Sequence, residues 1–552
     1  MLKKKNLTLP SLCLAVILAP TCARLSAAQN ATAARIRLDT VGYLPGRDKR
    51  ATLPAPCGDF RVVNESNGRA VFRGRAAGPR RNRDTDEDLC VADFSALKTP
   101  GLYRLEAEGA RPSHPFEISG DLYRAPFAVV LRAMYLWRCG AAVRAEHGGT
   151  FYSHAACHTE DARLDFVGGG AERRDATGGW HDAGDYNKYV VNAGVTVGLM
   201  LRAWEEFGPR IRRIKPDIPP EDPRLPAYLA EVKWETDWLL KMQAPDGSVY
   251  HKVSTKDFGP AIMPEDEKAA RFFTPASTAA TADFAAMLAA AARAFKPFDP
   301  AYAARCLASA RRAYEHLCAN PQSKRADLTG FTTGPYQTDD ADDRLWAAAE
   351  LWETTGEARY LSDFETRASA FQSKFSQDWG WGDVKNLGVL TYLFSKRAGR
   401  DARLVRDVRA SLLETADQIV AVRDGHGYAR PLTRYYWGAN GGVANTVVLL
   451  RAAHRVAPRR DYVETALDAL HHLFGRNLQG RSYVTGLGAD PPRHPHDRRS
   501  MARPGSPAWP GYLVGGGWPR PADWVDDADN YRVNEIAINW NAPLIYALAA
   551  FL

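Results

Sequence analysis

The sequence predicts a mostly α protein in two parts, a small β-sandwich followed by a large array of helices. Three observations predict it. At 552 residues the chain exceeds what one ordinary core supports, so two domains or one large repetitive one are expected. From Ile36 to about Ser119, short β-type runs are broken by Gly, Pro and Asn at the spacing of a sandwich. From about Asp121 the texture changes to Ala- and Leu-rich amphipathic stretches that persist to Leu552.

The elements follow in order. Lys3, Lys4 and Lys5 precede an apolar run, Leu7 to Ala19, which ends in small residues through Ser26, Ala27 and Ala28. That layout predicts a secretory signal peptide over residues 1–28 and an exported protein, secreted or periplasmic, with no later membrane span. Strands are expected at Ile36–Leu38, Ala51–Leu53, Phe60–Asn64, Ala70–Gly74 and Leu102–Ala107, in a domain over 36–119. About twelve helices are expected to begin near residues 122, 187, 224, 276, 299, 341, 358, 386, 402, 441, 459 and 534. Twelve helices without strands suit a closed barrel or a long solenoid over 122–552. Two long loops, 244–275 and 476–533, interrupt the pattern, and loops of that length usually carry function.

Composition narrows the class. The chain is 45% hydrophobic and 25% charged, with a net charge of +8 from Arg scattered among Asp and Glu. No basic run alternates with aromatics, so a nucleic-acid partner is not expected. Fourteen Trp and 22 Tyr supply aromatic binding surfaces. Of the eight cysteines, Cys13 and Cys22 would leave with the signal. Cys57 and Cys90 are placed to bridge the small domain. Cys306 and Cys318 lie on one helix roughly 18 Å apart, beyond disulfide reach, and read as buried thiols.

Three segments carry chemistry. Asp182 and Asp185 sit in Gly178-Gly179-Trp180-His181-Asp182-Ala183-Gly184-Asp185-Tyr186, where glycines let a tight turn aim two acids into one cavity. Such a pair suits general-base work on water, and a solvated acidic turn is the plain alternative. Glu535 opens the last, apolar helix among Tyr531, Ile536 and Trp540, where desolvation would keep its carboxyl protonated as a general acid requires. The alternative is an ordinary first-turn Glu favoured by the helix dipole. His496 and Arg498 could donate hydrogen bonds to sugar hydroxyls, with plain surface residues as the alternative.

Together the Asp182-x-x-Asp185 block, the His496-x-Arg498 block and the closing Trp524-x-Asp526, Tyr531, Glu535-x-Ala537 and Asn541-Ala542 resemble glycoside hydrolase family 9, the inverting β-1,4-glucanases. Leu38-Asp39-Thr40-Val41-Gly42-Tyr43-Leu44-Pro45 resembles the opening strand of the immunoglobulin-like domain that precedes many bacterial members. The resemblance covers nearly the whole mature chain and implies an (α/α)6 barrel. It assigns Asp185 as the base that deprotonates water, Asp182 as its partner, and Glu535 as the acid. His496 and Arg498 resemble residues that hold the sugar on the non-reducing side of the cut. Trp346, Tyr436, Trp437 and Tyr531 are candidates to stack on sugar rings, each equally suited to the core. Asp490 departs from the family, which more often has Asn or a basic residue there. The expected activity is endo-cleavage of a β-1,4-linked polysaccharide by a monomer. The rivals are exo-action on short cello- or chitosan oligosaccharides and a non-catalytic carbohydrate-binding protein. The helical pattern runs to Leu552 without a further binding module, which favours soluble chains, and Gly511 to Gly517 are placed to wall off one end of a cleft.

No organic cofactor is expected, but two metal sites are. Cys139, Cys157, His158 and His181 supply two thiolates and two imidazoles, a tetrahedral zinc set that would pin the turn at Asp182. A Cys139–Cys157 disulfide is the alternative in an exported protein. Several family members bind zinc through a similar cluster. Thr338, Asp339, Asp342 and Asp343, with Asp383, suit calcium, which family members often bind here. A multiply capped helix start is the alternative.

Overall fold

The structure is a computed structural model describing residues 34–160, 162–219 and 222–552. The expected signal segment, with Cys13 and Cys22, lies outside the described residues.

Eight strands build the first unit. They are β1 Gly42–Tyr43, β2 Arg50–Pro54, β3 Asp59–Asn64, β4 Ala70–Arg75, β5 Ala77–Asn82, β6 Glu87–Asp93, β7 Gly101–Ala107 and β8 Phe116–Ile118. They form two sheets, ordered β1-β8-β7-β3-β4 and β2-β6-β5, antiparallel except where β1 runs parallel to β8. Alternation along the strands turns Val62, Leu105 and Phe116 inward. Tyr43 sits edge-on to Phe94 and Phe116 in that core, at 5.3 and 5.5 Å. Cys57 and Cys90 are bridged. Ile36–Leu38 makes isolated bridges at Arg37 and Arg35 rather than a strand.

Twelve helices of ten residues or more follow among the described residues: α1 Arg124–Leu136, α2 Val190–Ile211, α3 Ala227–Lys241, α4 Thr278–Phe295, α5 Pro300–Ala319, α6 Ala341–Thr355, α7 Ala358–Ala370, α8 Lys385–Phe394, α9 Ala402–Gly425, α10 Ala439–Val456, α11 Arg460–Leu473 and α12 Ile538–Ala549. Their starts fall close to those read from the sequence, and at three of them a side-chain cap marks the position. Ser277, Asp299 and Asp401 each accept a backbone N–H from the following first turn. α4 is buried on every side, its alanines allowing neighbours to approach closely, whereas α5, α7 and α9 keep polar outer faces.

Even-numbered helices make an inner layer. α4 packs on α2, α6 on α4 and α8 on α6, while α12 packs on both α2 and α10. The first and last inner helices therefore adjoin. Short strands, unforeseen in the sequence, brace the loops at the N-terminal ends of this layer. β9 Val143–His147 and β10 Thr150–His154 form a hairpin, and a second sheet runs β12 Arg173–Arg174, β11 Ala162–Arg163, β15 Phe272–Phe273, β14 Lys252–Ser254 and β13 Lys188–Tyr189, tying the 244–275 loop to the entry of α2.

The sandwich also reaches the helical unit. Thr52 donates to Gly427 O at 2.9 Å, and Asp84 accepts from His426 Nε2 and Tyr435 Oη, both at 3.1 Å. Asp84 thereby braces the loop that carries Tyr436 and Trp437. Asp490, the departure noted in the sequence, turns to His114 of the sandwich at 3.2 Å.

Candidate active site

The Asp182–Asp185 turn is fixed from below by α3. Glu235 accepts the Trp180 backbone N–H at 2.6 Å, and Glu231 accepts the Trp180 indole N–H at 2.7 Å while pairing with Arg138 at 2.9 Å. Gly179 takes φ +75°, and a Cβ there would meet the Trp238 ring at 2.8 Å, so only glycine fits. Both acids are buried. Asp182 accepts from Asn192 Nδ2 and Tyr336 Oη, each at 2.7 Å. Asp185 Oδ2 accepts from Asn187 Nδ2 at 2.7 Å and Tyr189 Oη at 3.1 Å. Oδ1 of Asp185 has no hydrogen-bond donor among the described residues and is the oxygen left for water. Burial, then the neighbouring Asp185 charge, pushes Asp182 up to about 8.

Glu535 is not in the last helix. A single turn, Tyr531–Asn534, ends before it, and α12 begins at Ile538. The intervening residues are extended and strand-like, bridged between His496 and Glu535 and between Val514 and Ile536. Gly515 N–H donates to Glu535 O at 2.9 Å, so the 511–517 segment forms the floor under Glu535 rather than an end wall. Glu535 is therefore not a first-turn residue of α12. Desolvation, then the charges of Asp185 and Asp182, raise it well above its ordinary value, with Arg498 and the Trp437 side chain opposing. Ile538 N–H donates to Asp182 O at 2.9 Å, which joins the two acidic segments directly.

His496 and Arg498 stand between those segments. His496 Nδ1–H donates to Ala528 O at 2.7 Å, and burial lowers its pKa, so the neutral ring presents Nε2 as an acceptor for a hydroxyl. Arg498 donates to Gly184 O at 2.9 Å and to Gly259 O at 2.8 Å. It thus holds the catalytic turn as well as facing Glu535.

The aromatic candidates divide. Trp437 and Tyr531 are 46% and 40% exposed, with ring centroids 5.4 Å apart, and Tyr531 lies against His496 at 5.9 Å. Tyr436 donates to Asp378 at 2.5 Å and, with Trp381, Trp437, Asn539 and Trp540, lines a cleft of about 400 Å³ between the N-terminal ends of α8 and α10. Trp346 does not join them. Its ring is 1% exposed, packs on Gly198 and Leu387 territory inside the barrel, and donates its indole N–H to Glu350 at 3.0 Å. It is core.

Cys139, Cys157, His158 and His181 converge, their ligand atoms all within 4.8 Å of one another. Cys139 Sγ lies 3.6 Å from His158 Nδ1, and Cys157 Sγ lies 3.6 Å from His181 Nε2. Those separations match the edge of a tetrahedron around an ion with ligands about 2.0–2.3 Å away. His158 Nε2–H donates to Glu267 at 3.0 Å, leaving Nδ1 as the lone-pair nitrogen aimed at the cluster. Both cysteines are free thiols, so the disulfide alternative is not realised here. Cys318, expected to be buried, is exposed, while Cys306 is buried.

Of the calcium candidates, Thr338, Asp342 and Asp383 come near one another around residues 382–384, while Asp339 and Asp343 turn elsewhere. Asp339 pairs with exposed Arg325 at 3.2 Å. Asp383 holds the Lys385 ammonium at 2.7 Å, so a protein cation already occupies that carboxylate. Asp343 turns inward against Asp283 in the barrel wall. Asp342 accepts the Val384 N–H at 2.6 Å, and Thr338 reaches only Gly382 O at 3.5 Å.

Sequence reasoning missed Glu231, Glu235, Asn187, Tyr189, Asn192 and Tyr336. Asn187 and Tyr189 were within four residues of Asp185 and polar in a segment entering an apolar helix. Tyr336 carried no local signal.

Known proteins bear on this arrangement. Residues 123–548 match glycosyl hydrolase family 9, and residues 31–112 match the cellulase N-terminal ig-like domain. Endoglucanase D of Acetivibrio thermocellus is 52% identical over 522 residues, covering 94% of this chain and 83% of that protein. The crystal structure of a metagenome-derived glycoside hydrolase family 9 endoglucanase superposes with a TM-score of 0.88 at 34% identity, covering 94% of this chain and 98% of that one. A Zn-binding triple mutant of the family 9 endoglucanase J30 superposes with a TM-score of 0.87 at 36% identity, covering 92% and 99%. With two acids on one turn, a third on the adjoining seam of a helical barrel and an ig-like domain before it, the chain belongs to glycosyl hydrolase family 9.

Proposed function

We propose that the protein is an inverting endo-β-1,4-glucanase in which Glu535 is the acid and Asp185 the base. The observation that carries this reading is the pair of contrasting carboxyl environments: Glu535 is buried beside Asp185 and Asp182, which raises its pKa, while Asp185 keeps one oxygen clear for water. Glu535 protonates the glycosidic oxygen as the bond to the anomeric carbon breaks. Water held by Asp185 Oδ1 and Asp182 attacks from the opposite face and gives its proton to Asp185, which inverts the centre. Tyr336 and Asn192 keep the Asp182 carboxyl oriented toward that water. His496, Arg498, Tyr436, Trp437 and Tyr531 hold the sugar, and Trp346 takes no part.

Endo-action is supported by the relatives, and the rival is exo-action on cello- or chitosan oligosaccharides. Product profiles on cellohexaose, carboxymethyl cellulose and chitosan oligomers decide between them. Rapid viscosity loss with random shortening is expected. Release from one end only, or cleavage restricted to glucosamine chains, would overturn the endoglucanase reading.

The same reading places a structural zinc on Cys139, Cys157, His158 and His181, where it would lock the Asp182 turn to the 155–158 loop. A calcium ion on Thr338, Asp342 and Asp383 would have to displace the Lys385 ammonium, and melting curves with and without calcium test that. Two separate apolar clusters, one over Ile36–Ile118 and one over Leu122–Ala550, support domains at 36–119 and 122–552. Export through residues 1–28 is tested by sequencing the mature N-terminus. Among the described residues, no helix is long and apolar enough to cross a membrane.

A further inference from the structure

Phe258 is 50% exposed, on the loop between β14 and β15, and no core packing accounts for that ring. The backbone on either side of it is fixed. Thr332 N–H donates to Lys256 O at 2.8 Å, Thr332 Oγ1 donates to Asp257 at 2.8 Å, and Gly259 O accepts from Arg498 Nε at 2.8 Å. Further along the same loop, Ile262 O accepts from Tyr186 Oη at 2.6 Å, one residue beyond Asp185. The Phe258 ring lies 5.6 Å from the Arg498 guanidinium, which itself grips Gly184 of the catalytic turn. An apolar ring is therefore presented to solvent from an anchored stretch of loop, linked through Arg498 to the Asp182–Asp185 turn.

We propose that Phe258 is a stacking subsite for a glucosyl unit of the bound chain, separate from the Trp437–Tyr531 pair. This rests on the β-1,4-glucanase reading above. The Trp437–Tyr531 pair adjoins the site through His496, whereas Phe258 adjoins it through Arg498. In β-linked glucose the substituents are equatorial, so the two ring faces are patches of axial C–H groups, and a flat, exposed aromatic face buries them without needing a hydrogen-bond partner. Arg498 against the ring adds a donor at the rim, the combination that sugar-binding surfaces need. Because the loop is anchored on both sides, little ordering cost is incurred on binding.

The subsite would be filled only by chains long enough to reach it, so the test compares lengths. Wild type, Phe258→Ala, Phe258→Leu and Phe258→Trp are assayed for kcat/KM on cellotriose and cellohexaose, with melting temperatures as a folding control. Phe258→Leu keeps an apolar cover over Arg498 but has no flat face. In the Ala and Leu variants the hexaose-to-triose ratio of kcat/KM is expected to fall about tenfold, and Trp is expected to restore it. An unchanged ratio, an equal loss on both lengths, or full recovery by Leu would each overturn the stacking role. Wild-type protein that cleaves neither substrate would instead overturn the glucanase reading itself.

Discussion

Replacing Gly184 with alanine is expected to cut turnover about 100-fold while the protein still folds. Gly184 sits between the two acids, and its φ lies outside the left-handed region, so alanine meets no backbone penalty there. The obstacle is a neighbour. An added Cβ would lie 2.3 Å from His496 O and 3.0 Å from His496 Cδ2. Carbon and oxygen in ordinary contact need well over 3 Å, so the two segments must part by about 1 Å. Neither can yield freely. Gly184 O is held by Arg498 N and Nη1 at 3.1 and 2.9 Å, and His496 N–H is held by Asn534 O at 2.8 Å, beside Glu535. The displacement therefore falls between base and acid, where about 1 Å is worth about 100-fold in rate. Overpacking of this size costs roughly 1–3 kcal/mol of stability. The assay is kcat and KM on cellohexaose, with circular-dichroism melting alongside. The loss should appear in kcat. Wild-type kcat in a folded Gly184→Ala protein would refute the idea that this glycine sets the acid–base separation.

Three other outcomes are expected. Glu535→Gln should lower kcat/KM on cellohexaose by about 10²–10⁴ yet spare a dinitrophenyl cellobioside, whose leaving group needs no proton. Since the Glu535 pKa is raised, the wild-type rate should fall as pH climbs through it, and that alkaline limb should vanish in the variant on the activated substrate. Glu267→Ala removes the acceptor that orients His158, and zinc affinity measured by chelator competition should weaken about 10- to 100-fold, an unchanged affinity counting against the cluster as a zinc site. Trp346→Phe should cost about 1–2 kcal/mol in denaturant unfolding and leave KM unaltered, and a raised KM would return Trp346 to the substrate surface.

Helix positions were legible because inner and outer helices differ in which faces are apolar, and because Ser277, Asp299 and Asp401 announce their starts. The paired buried acids Asp182 and Asp185 were legible for a different reason: glycines 178, 179 and 184 crowd around them, and such a run is costly unless tight approach is needed. Glu535 was located but misplaced in a helix. Its neighbours favour helix, and only pairing with His496 and Gly515, invisible in local sequence, holds it extended. Trp346 shows the converse limit, since an aromatic on an amphipathic helix reads alike whether it lines a cleft or fills a core. The convergence of Cys139, Cys157, His158 and His181 was readable because two Cys and two His form a sparse, chemically distinctive alphabet. The calcium candidates carry a weaker signal, because carboxylates serve equally well as partners for Arg325 and Lys385.

The hydrogen bond from Ile538 N–H to Asp182 O is also a clasp between the beginning and the end of the helical ring. In the proposed mechanism, water activation at Asp185 and proton delivery from Glu535 come from opposite ends of the helical unit, and neither has a partner until the ring shuts. An incompletely folded molecule is therefore chemically silent, however much helix it has formed. Activity in this architecture is a report on topology: it signals that the circle has been completed, not merely that its arcs exist.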